Sequence, residues 1–412
     1  MQGDCPVKKE FALKIFEGFS IERWNDMIRP FDLVQMDKDA ERLFVAYIIG
    51  KYEEQNGVKI DWEWMMYASV FELLRKIALC DIKSPVQRLI REEYPAEYIR
   101  LNEWVLEQYR HLIDDTDLFS KFTLYIGKTC GSIPFGPHQQ ATSRVFRAAH
   151  KYSTLRELEM ISPVNESERL ERIRKEVNAD IQEFLDLRGM QMLLTKQKPY
   201  EFLLRIEQLR FQTRWNQTPR VPGTSVLGHC FFVAVMTLLF TREAGMNMCQ
   251  RRLYNDFFSA LFHDLPESVT RDIISPVKQA TDDLPAVVKN IEDQIVAKEL
   301  VPLMEDFYRD EVLFFTSDEF ENRIVVDGSV MHVSFEELNK RFNKDEFNPV
   351  DGKLVRLADH YAALLEADSS IRHGITSKHL RDGRDNLLKR FTPGSVVNGI
   401  DAYSLFSAIV EE

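Results

Sequence analysis

Four short motifs occur twice along this chain of 412 residues, and they keep the same order. The second occurrence follows the first by 191, 188, 191 and 209 residues, so small gaps and one insertion align two copies of the same unit. The paired segments are 23–25 with 214–216, 44–46 with 232–234, 81–86 with 272–277, and 147–152 with 356–361. Such self-similarity decides the architecture of a chain, and we infer a tandem duplication with copies at 1–197 and 198–412.

Most long segments have the period of an amphipathic helix, with apolar residues at i, i+3, i+4 and i+7. A clear example is the set Leu354, Leu357, Ala358, Tyr361, Leu364 and Leu365. Alternating patterns are rare, and the strongest is NRIVVDGSVMHVS at 322–334, where β-branched residues flank the turn dipeptide Asp327-Gly328. The sequence therefore predicts an all-α protein of two tandem helical domains that form a pseudo-dimer, with a small β-hairpin inserted near 322–334.

Charge and cysteine usage exclude several classes of protein. The formal net charge of -12 and the pI near 5.4 disfavour binding to duplex nucleic acid, although a small basic pocket could still receive one anionic metabolite. The longest strongly apolar run, 231–240, is about half of a bilayer span, so no membrane segment is predicted and we expect a cytoplasmic protein. The five cysteines form no C-x-x-C pair and are predicted to be free, mostly buried thiols.

Histidines and aspartates lie where three predicted helices could bring them together. His229 is near the start of one apolar helix, His263 and Asp264 end another, and Asp359 lies on a third. Each residue alone is more often a helix cap or a satisfied polar group of the core. Together, two imidazoles and two carboxylates suit one divalent cation such as Mn, Fe, Co, Ni or Mg, with positions left for water and substrate.

The two copies differ at these positions. When the two copies are aligned through the repeats, His229 aligns with Glu41, and His263 and Asp264 align with Glu72 and Leu73. Glu267 aligns with Lys76, and Asp359 aligns with His150. Caps and core groups would have similar reason to persist in both copies, whereas ligands of a single site would not. The sequence therefore predicts one metal-bearing copy and one degenerate copy.

The ordered set His229, His263-Asp264 and Asp359 resembles that of the HD-domain metal-dependent phosphohydrolase superfamily. With Arg214-Trp215 fifteen residues before His229, and with Glu267, Thr270 and Asp272 after the His-Asp pair, it is most similar to the bacterial HD-domain 5'-deoxynucleotidases. The resemblance covers about 170 residues, from 214 to 366 and slightly beyond. It implies that the first four residues bind one divalent metal ion, that Glu267 handles protons, that Arg214 holds the phosphate, and that Trp215 and Asp272 contact the sugar.

The predicted function is hydrolysis of a phosphate monoester, a nucleoside or deoxynucleoside 5'-monophosphate, with Lys278 as a second cation for the phosphate. The enzymes of the family that this sequence resembles are homodimers of a single unit. We therefore expect a monomer that acts as a pseudo-dimer, or a homo-oligomer. Several alternatives stay open: another nucleotide such as ppGpp or a deoxynucleoside triphosphate, or a metal- and nucleotide-binding sensor without turnover. Because Arg23, Trp24 and Asp81 occupy the equivalent places in the degenerate copy, Arg214, Trp215 and Asp272 could also be structural. The 322–334 insertion could lie over the site and alter substrate choice.

Overall fold

The computed structural model describes residues 7–80, 82–245, 247–271, 281 and 283–411. Two predicted substrate contacts, Asp272 and Lys278, lie outside the described residues. The predicted all-α class is confirmed, because helices make up most of the described chain. The helices of the first half are α1 (Lys9–Phe16), α2 (Gln35–Gln55), α3 (Trp62–Leu79), α4 (Ser84–Glu93), α5 (Pro95–Tyr109), α6 (Thr116–Thr129), α7 (Pro137–Ile161), α8 (Ser167–Gln182) and α9 (Arg188–Leu194).

The second half begins with α10, directly after the predicted boundary at 197. The division of the chain into domains at that point stays a prediction. The helices that follow are α10 (Lys198–Phe211), α11 (Val226–Glu243), α12 (Gln250–Phe262), α13 (Glu267–Thr270), α14 (Leu284–Ile295), α15 (Asp306–Thr316), α16 (Phe335–Lys340), α17 (Gly352–Arg372), α18 (Lys378–Lys389) and α19 (Ala402–Val410). A π-helical turn at Val296–Leu300 extends α14, and short 3-10 turns lie at Glu17–Phe19, Ser162–Val164, Val301–Leu303 and Asp345–Phe347.

The predicted hairpin is confirmed as β1 (Asn322–Val326) and β2 (Ser329–His332), which pair antiparallel. Asp327 and Gly328 form its turn with φ of 50° and 76°, the left-handed values that a two-residue hairpin turn requires. Three very short strands in the described chain were not predicted from the sequence. They are β3 (Val350–Asp351), which pairs with the other edge of β1, and β4 (Val396–Val397) with β5 (Ile400–Asp401), which form a second hairpin.

The core of the protein is continuous between the two halves. Helix α11 is apolar on every side and nearly all of its residues are buried, and it packs against α2, α12 and α17. By length and composition α11 could cross a membrane, but 89% of it is buried inside the protein, as expected of a core helix. Rings of α2 contact rings of α12 across the halves: Phe44 and Phe262 are 4.9 Å apart and Tyr47 and Phe258 are 5.3 Å apart between centroids. Such aromatic pairs add about 0.5–1.5 kcal/mol each beyond the area they bury.

The cysteines agree only in part with the prediction of free, mostly buried thiols. None of the four described cysteines is in a disulfide, and Cys230 is buried on α11, as expected. Cys80, however, is exposed at the end of α3, where it adopts a left-handed backbone with φ of 52°. It follows the last buried turn of the helix, so its side chain points away from the core.

Candidate metal centre

Three helices bring the four predicted metal ligands together. His229 lies in the first turn of α11, which begins where the Ser225 hydroxyl accepts a hydrogen bond from the Gly228 N–H. His263 is the residue that ends α12, and Asp264 follows it directly. Asp359 lies on α17. These side chains come from segments that are 34 or more residues apart in sequence, and the fold places them in one cluster.

The distances within the cluster are those of a ligand set. His229 Nε2 is 3.1 Å from Asp359 Oδ1 and 4.0 Å from Asp264 Oδ2, and His263 Nε2 is 3.2 Å from the same Asp264 oxygen. One ligand atom each from His229, His263 and Asp359 lies within 4.8 Å of the others. A divalent ion with bonds of about 2.0–2.2 Å to nitrogen and oxygen fits between atoms at these separations.

The hydrogen bonds of His263 leave its outer ring nitrogen for a metal ion. Its Nδ1 lies 2.7 Å from the Ala260 carbonyl oxygen, so Nδ1–H donates there and Nε2 is the ring nitrogen that faces Asp264. His263 Nε2 and Asp264 Oδ2 are both buried and make no hydrogen bond within the described part of the chain. Buried polar atoms are normally satisfied, so these two acceptors fit a bound cation between them.

The carboxylates of the cluster are ionised. Burial opposes the charge of Asp359, but the contact with His229 and the nearby Arg214 guanidinium hold the pKa of this carboxyl well below its usual range. Burial likewise opposes ionisation of Asp264, and His263, His229 and Arg214 lower its pKa. Both groups can therefore ligate a metal as carboxylates without first losing a proton.

A buried glutamate that the sequence analysis did not single out supports the cluster. Glu366 lies two turns after Asp359 on α17, and one of its oxygens is 3.3 Å from His229 Nδ1. It also accepts hydrogen bonds from Trp215 Nε1 at 2.9 Å, Thr224 Oγ1 at 3.1 Å and Arg214 Nε at 3.3 Å. Burial opposes its charge, yet Arg214 and His229 hold its pKa far below the usual range. Glu366 thus lies against the Nδ1 side of the His229 ring, whose Nε2 faces the ligand cluster.

Arg214 lies beside the ligands rather than apart from them. Its two terminal nitrogens are 3.6 Å from Asp264 and 3.8 Å from Asp359, and 18% of its side chain is exposed. It can therefore face a substrate anion next to the metal position. Trp215 is held differently: its indole N–H is bound to Glu366, and its ring lies against Gly383 of α18, where an added Cβ would overlap it. These contacts favour the structural role for Trp215.

A cavity of about 480 Å³ opens from the cluster, and His263, Asp264 and Glu267 lie on its wall. Glu267 begins α13, so its side chain reaches the same space as the ligands without belonging to their helices. The other charged residues of the described lining are mostly acidic, with one lysine. They are Lys289, Glu292, Asp293, Asp318 and Glu319. The strands of the 322–334 hairpin are not among the described lining residues, but residues 317–319 just before them are.

The loop before α2 repeats the backbone pattern of the loop before α11. The Arg23 N–H donates to the Leu33 carbonyl and the Arg214 N–H donates to the Thr224 carbonyl, at 2.7 and 3.0 Å. The tryptophan that follows each arginine has a left-handed backbone, with φ of 55° and 54°. In this pattern the residue fifteen positions after the arginine is His229 in the second half and Lys38 in the first.

The expected pairing of His229 with Glu41 is therefore wrong, and Lys38 takes the equivalent place. Lys38 is fully buried, its ammonium donates to Thr154 Oγ1 at 2.8 Å, and it lies 3.8 Å from Glu157, which corresponds to Glu366. An ammonium group at this point repels a divalent cation. Glu41 instead binds Arg210.

Residues 206–388 match the family model of the HD domain. No curated protein matches the chain. The matched region contains the whole cluster: Arg214, His229, His263, Asp264, Glu267, Asp359 and Glu366. The match supports an HD domain at residues 206–388, and members of the HD-domain superfamily are in general metal-dependent hydrolases.

Proposed function

We propose that this protein hydrolyses a phosphate monoester, a nucleoside or deoxynucleoside 5'-monophosphate, at the cluster of His229, His263, Asp264 and Asp359. The observation that carries the proposal is the combination of these four ligands with an arginine that contacts two of them and still has an exposed portion. A metal site of structural purpose would need no such cation beside it, whereas a site for a phosphate anion does.

The four side chains would hold one divalent ion, which supplies positive charge at the phosphate and makes a bound water more acidic. Arg214 binds phosphate oxygens through its guanidinium N–H groups and offsets the negative charge that otherwise repels the nucleophile. Glu366 contacts both this guanidinium and the His229 ring and holds them in place. Substrate binding therefore begins with groups that are already oriented.

Glu267 lies on the cavity wall next to His263 and Asp264, within reach of a water and an ester oxygen in that space. The reaction forms a bond from water oxygen to phosphorus and breaks the bond from phosphorus to the ester oxygen. Glu267 accepts the proton that the water loses and returns it to the departing oxygen, which leaves as an alcohol. The product is inorganic phosphate.

The charges of the cavity support a short phosphate group. Six of the charged residues on its described wall are carboxylates and one is a lysine, Lys289. A triphosphate or a tetraphosphate would place further negative charges against these carboxylates, with Lys289 as the one lysine among the described lining residues, while a monophosphate needs only the metal ion and Arg214. We therefore favour a monophosphate over ppGpp or a deoxynucleoside triphosphate.

The test is release of phosphate from nucleoside and deoxynucleoside mono-, di- and triphosphates, with Mn, Co, Ni, Mg or Fe(II) added in turn. We expect release from monophosphates, and a loss of about a thousandfold or more in Asp264→Ala, because the metal supplies several kcal/mol to the transition state. Asp310→Ala is the matched control, since Asp310 is an aspartate of α15 with 84% of its side chain exposed. Metal content is measured in all three proteins.

Two results would reject the proposal. One is the absence of release with every metal from protein that is folded and metal-loaded, which would favour a sensor without turnover. The other is equal release by wild type and Asp264→Ala, which would assign the activity to another site or to a contaminant.

We also infer that the chain is a tandem duplication whose first half occupies the place of a second subunit. The repeated loop pattern, the matching arginine and tryptophan pairs, and the aromatic contacts between α2 and α12 support this inference. A pseudo-dimer of this kind needs no second chain, so light scattering should give the mass of one chain, 48.2 kDa. A stable dimer would contradict the expectation.

A further inference from the structure

The first half contains a cavity of about 570 Å³ next to the residues that correspond to the metal centre. Arg23 and His150, the counterparts of Arg214 and Asp359, lie on its wall, and so does Lys76, the counterpart of Glu267. Lys38 and Leu73 replace a histidine and an aspartate of the ligand set. With two lysines and a leucine at these positions, the cavity is unsuited to a divalent cation.

The charge of this cavity is opposite to that of the cavity beside the metal centre. Its described wall contains seven arginines and lysines against four carboxylates. Several of them neutralise one another, as Lys83 does with Asp26 at 2.7 Å and Lys151 with Asp180 at 2.6 Å. An excess of positive charge remains inside a protein whose formal net charge is -12. A concave, positively charged site concentrates anions.

Lys76 is the cation of this cavity that is left for a ligand. Among the described residues it makes no hydrogen bond and no ion pair, although it lies on the cavity wall in the last turn of α3. His150 Nδ1, on the same wall, is buried and likewise without a hydrogen-bond partner in the described chain. An unpaired ammonium in a confined space is costly unless an anion accompanies it.

The lining of the cavity also includes apolar side chains, namely Trp24, Met27, Ile82, Ile173 and Val177. A pocket of several hundred cubic ångströms that combines apolar side chains with convergent polar groups is typical of small-molecule sites. We propose that this cavity binds a small organic phosphate of the size of a nucleoside monophosphate, without a metal ion. The first half thus has a ligand site of its own, and this site does not depend on catalysis by the second half.

The charge state of Lys76 makes the binding depend on pH. Burial lowers the pKa of its ammonium to about 8. The charged or titratable groups that face it are Glu72 and Arg75 on α3, Arg23 in the loop before α2, Asp39 on α2, and His150 on α7. The amine is protonated below pH 8 and loses its charge above it. Affinity for a phosphate should therefore fall as the pH rises through 8.

Cys80 provides a local test, because it is exposed and lies on the wall of the cavity. The full chain, in EDTA, is alkylated with N-ethylmaleimide in the presence of AMP or of inorganic phosphate, and each cysteine is followed by peptide mass spectrometry. We expect AMP to slow the labelling of Cys80 at least about fivefold and to leave Cys130, which is outside the cavity, unchanged. Inorganic phosphate should protect at higher concentration. Labelling of Cys80 that is unaffected by about 10 mM AMP would overturn the proposal, since specific sites saturate well below that concentration.

The AMP concentration that gives half of the maximal protection of Cys80 measures the affinity for AMP, and this affinity can be compared between variants. Lys76→Gln should weaken AMP binding about tenfold or more, because a hydrogen bond to a charged group is lost. Lys340→Gln is the matched control on the surface of the second half, where 72% of the lysine side chain is exposed. If circular dichroism shows Lys76→Gln to be unfolded, Lys76→Arg keeps the charge and should keep the protection. Unchanged affinity in folded Lys76→Gln, or protection lost in folded Lys76→Arg, would overturn the assignment.

Discussion

Substitutions of two buried glutamates, Glu366 and Glu157, can distinguish an effect on metal affinity from an effect on the stability of the fold. Both accept hydrogen bonds from an arginine and the tryptophan after it, and each lies near the residue fifteen positions beyond that arginine. In the second half that residue is the proposed ligand His229, and in the first half it is Lys38. Glu366→Gln and Glu157→Gln therefore remove the same carboxylate charge from two similar environments.

The expected size of each effect follows from these contacts. Loss of one partner of a buried charge cluster costs about 3–5 kcal/mol, so both variants should lower the free energy of unfolding by a similar amount. Only Glu366→Gln also loosens a ligand. Partners that orient a metal-bound histidine contribute about 10–100-fold in affinity, or about 1.4–2.8 kcal/mol.

The assays are urea unfolding for stability, and competition with a chelator for Mn or Co affinity. We expect similar losses of stability in the two variants, together with a 10–100-fold weaker metal affinity in Glu366→Gln alone. Equal metal affinities in Glu366→Gln and Glu157→Gln would refute the argument that Glu366 orients His229. A loss of affinity in both would mean that general destabilisation, and not a specific contact, weakens the site.

Three further changes test other parts of the structure. Glu267→Gln should keep metal affinity but lower kcat by about 10²–10⁴, as expected of a proton-transfer group, and a parallel loss of metal would show that Glu267 is a ligand instead. Gly383→Leu should displace the Trp215 ring and lower the free energy of unfolding by about 1–3 kcal/mol in urea, whereas an unchanged stability would argue against their close contact. Burial raises the pKa of Asp37 from 3.8 to about 6 against the influence of Arg210, so the folded state binds more protons than the unfolded state between these values. Stability should consequently fall by roughly 3 kcal/mol as pH rises from about 3.8 to 6, and Asp37→Asn should remove this part of the pH dependence; the same slope in the variant would assign it to other groups.

The sequence was sufficient to predict that His229, His263, Asp264 and Asp359 would lie close together, because the first three lie at the ends of apolar helices and the order of all four resembles that of a known family. His229 lies near the start of α11, and His263 ends an apolar helix, so their positions could be predicted from the sequence. Glu366 was not readable in this way. It lies within a long helix, where a charged residue usually faces solvent, and only the fold shows that it is buried.

The pairing of His229 with Glu41 failed for a physical reason. It rested on a match of three apolar residues, 44–46 with 232–234, inside helices that are buried on every side. Such helices accept many apolar residues in any rotational position, so an apolar triplet does not specify their register. The hydrogen bonds of the preceding loops do specify it, and they are visible only in the structure. The three shortest strands were missed because two residues cannot display an alternating pattern.

The aromatic contacts across the halves have a consequence for any attempt to cut the chain in two. Phe44 and Tyr47 cover Phe262 and Phe258 of α12, the helix that the proposed metal ligands His263 and Asp264 directly follow. Each half alone would expose these rings to water, at a cost of about 1.5–3 kcal/mol per side chain. The second half expressed without the first should therefore aggregate, and the two pieces should recover a soluble, metal-binding protein only when they are produced together, as an obligate heterodimer does.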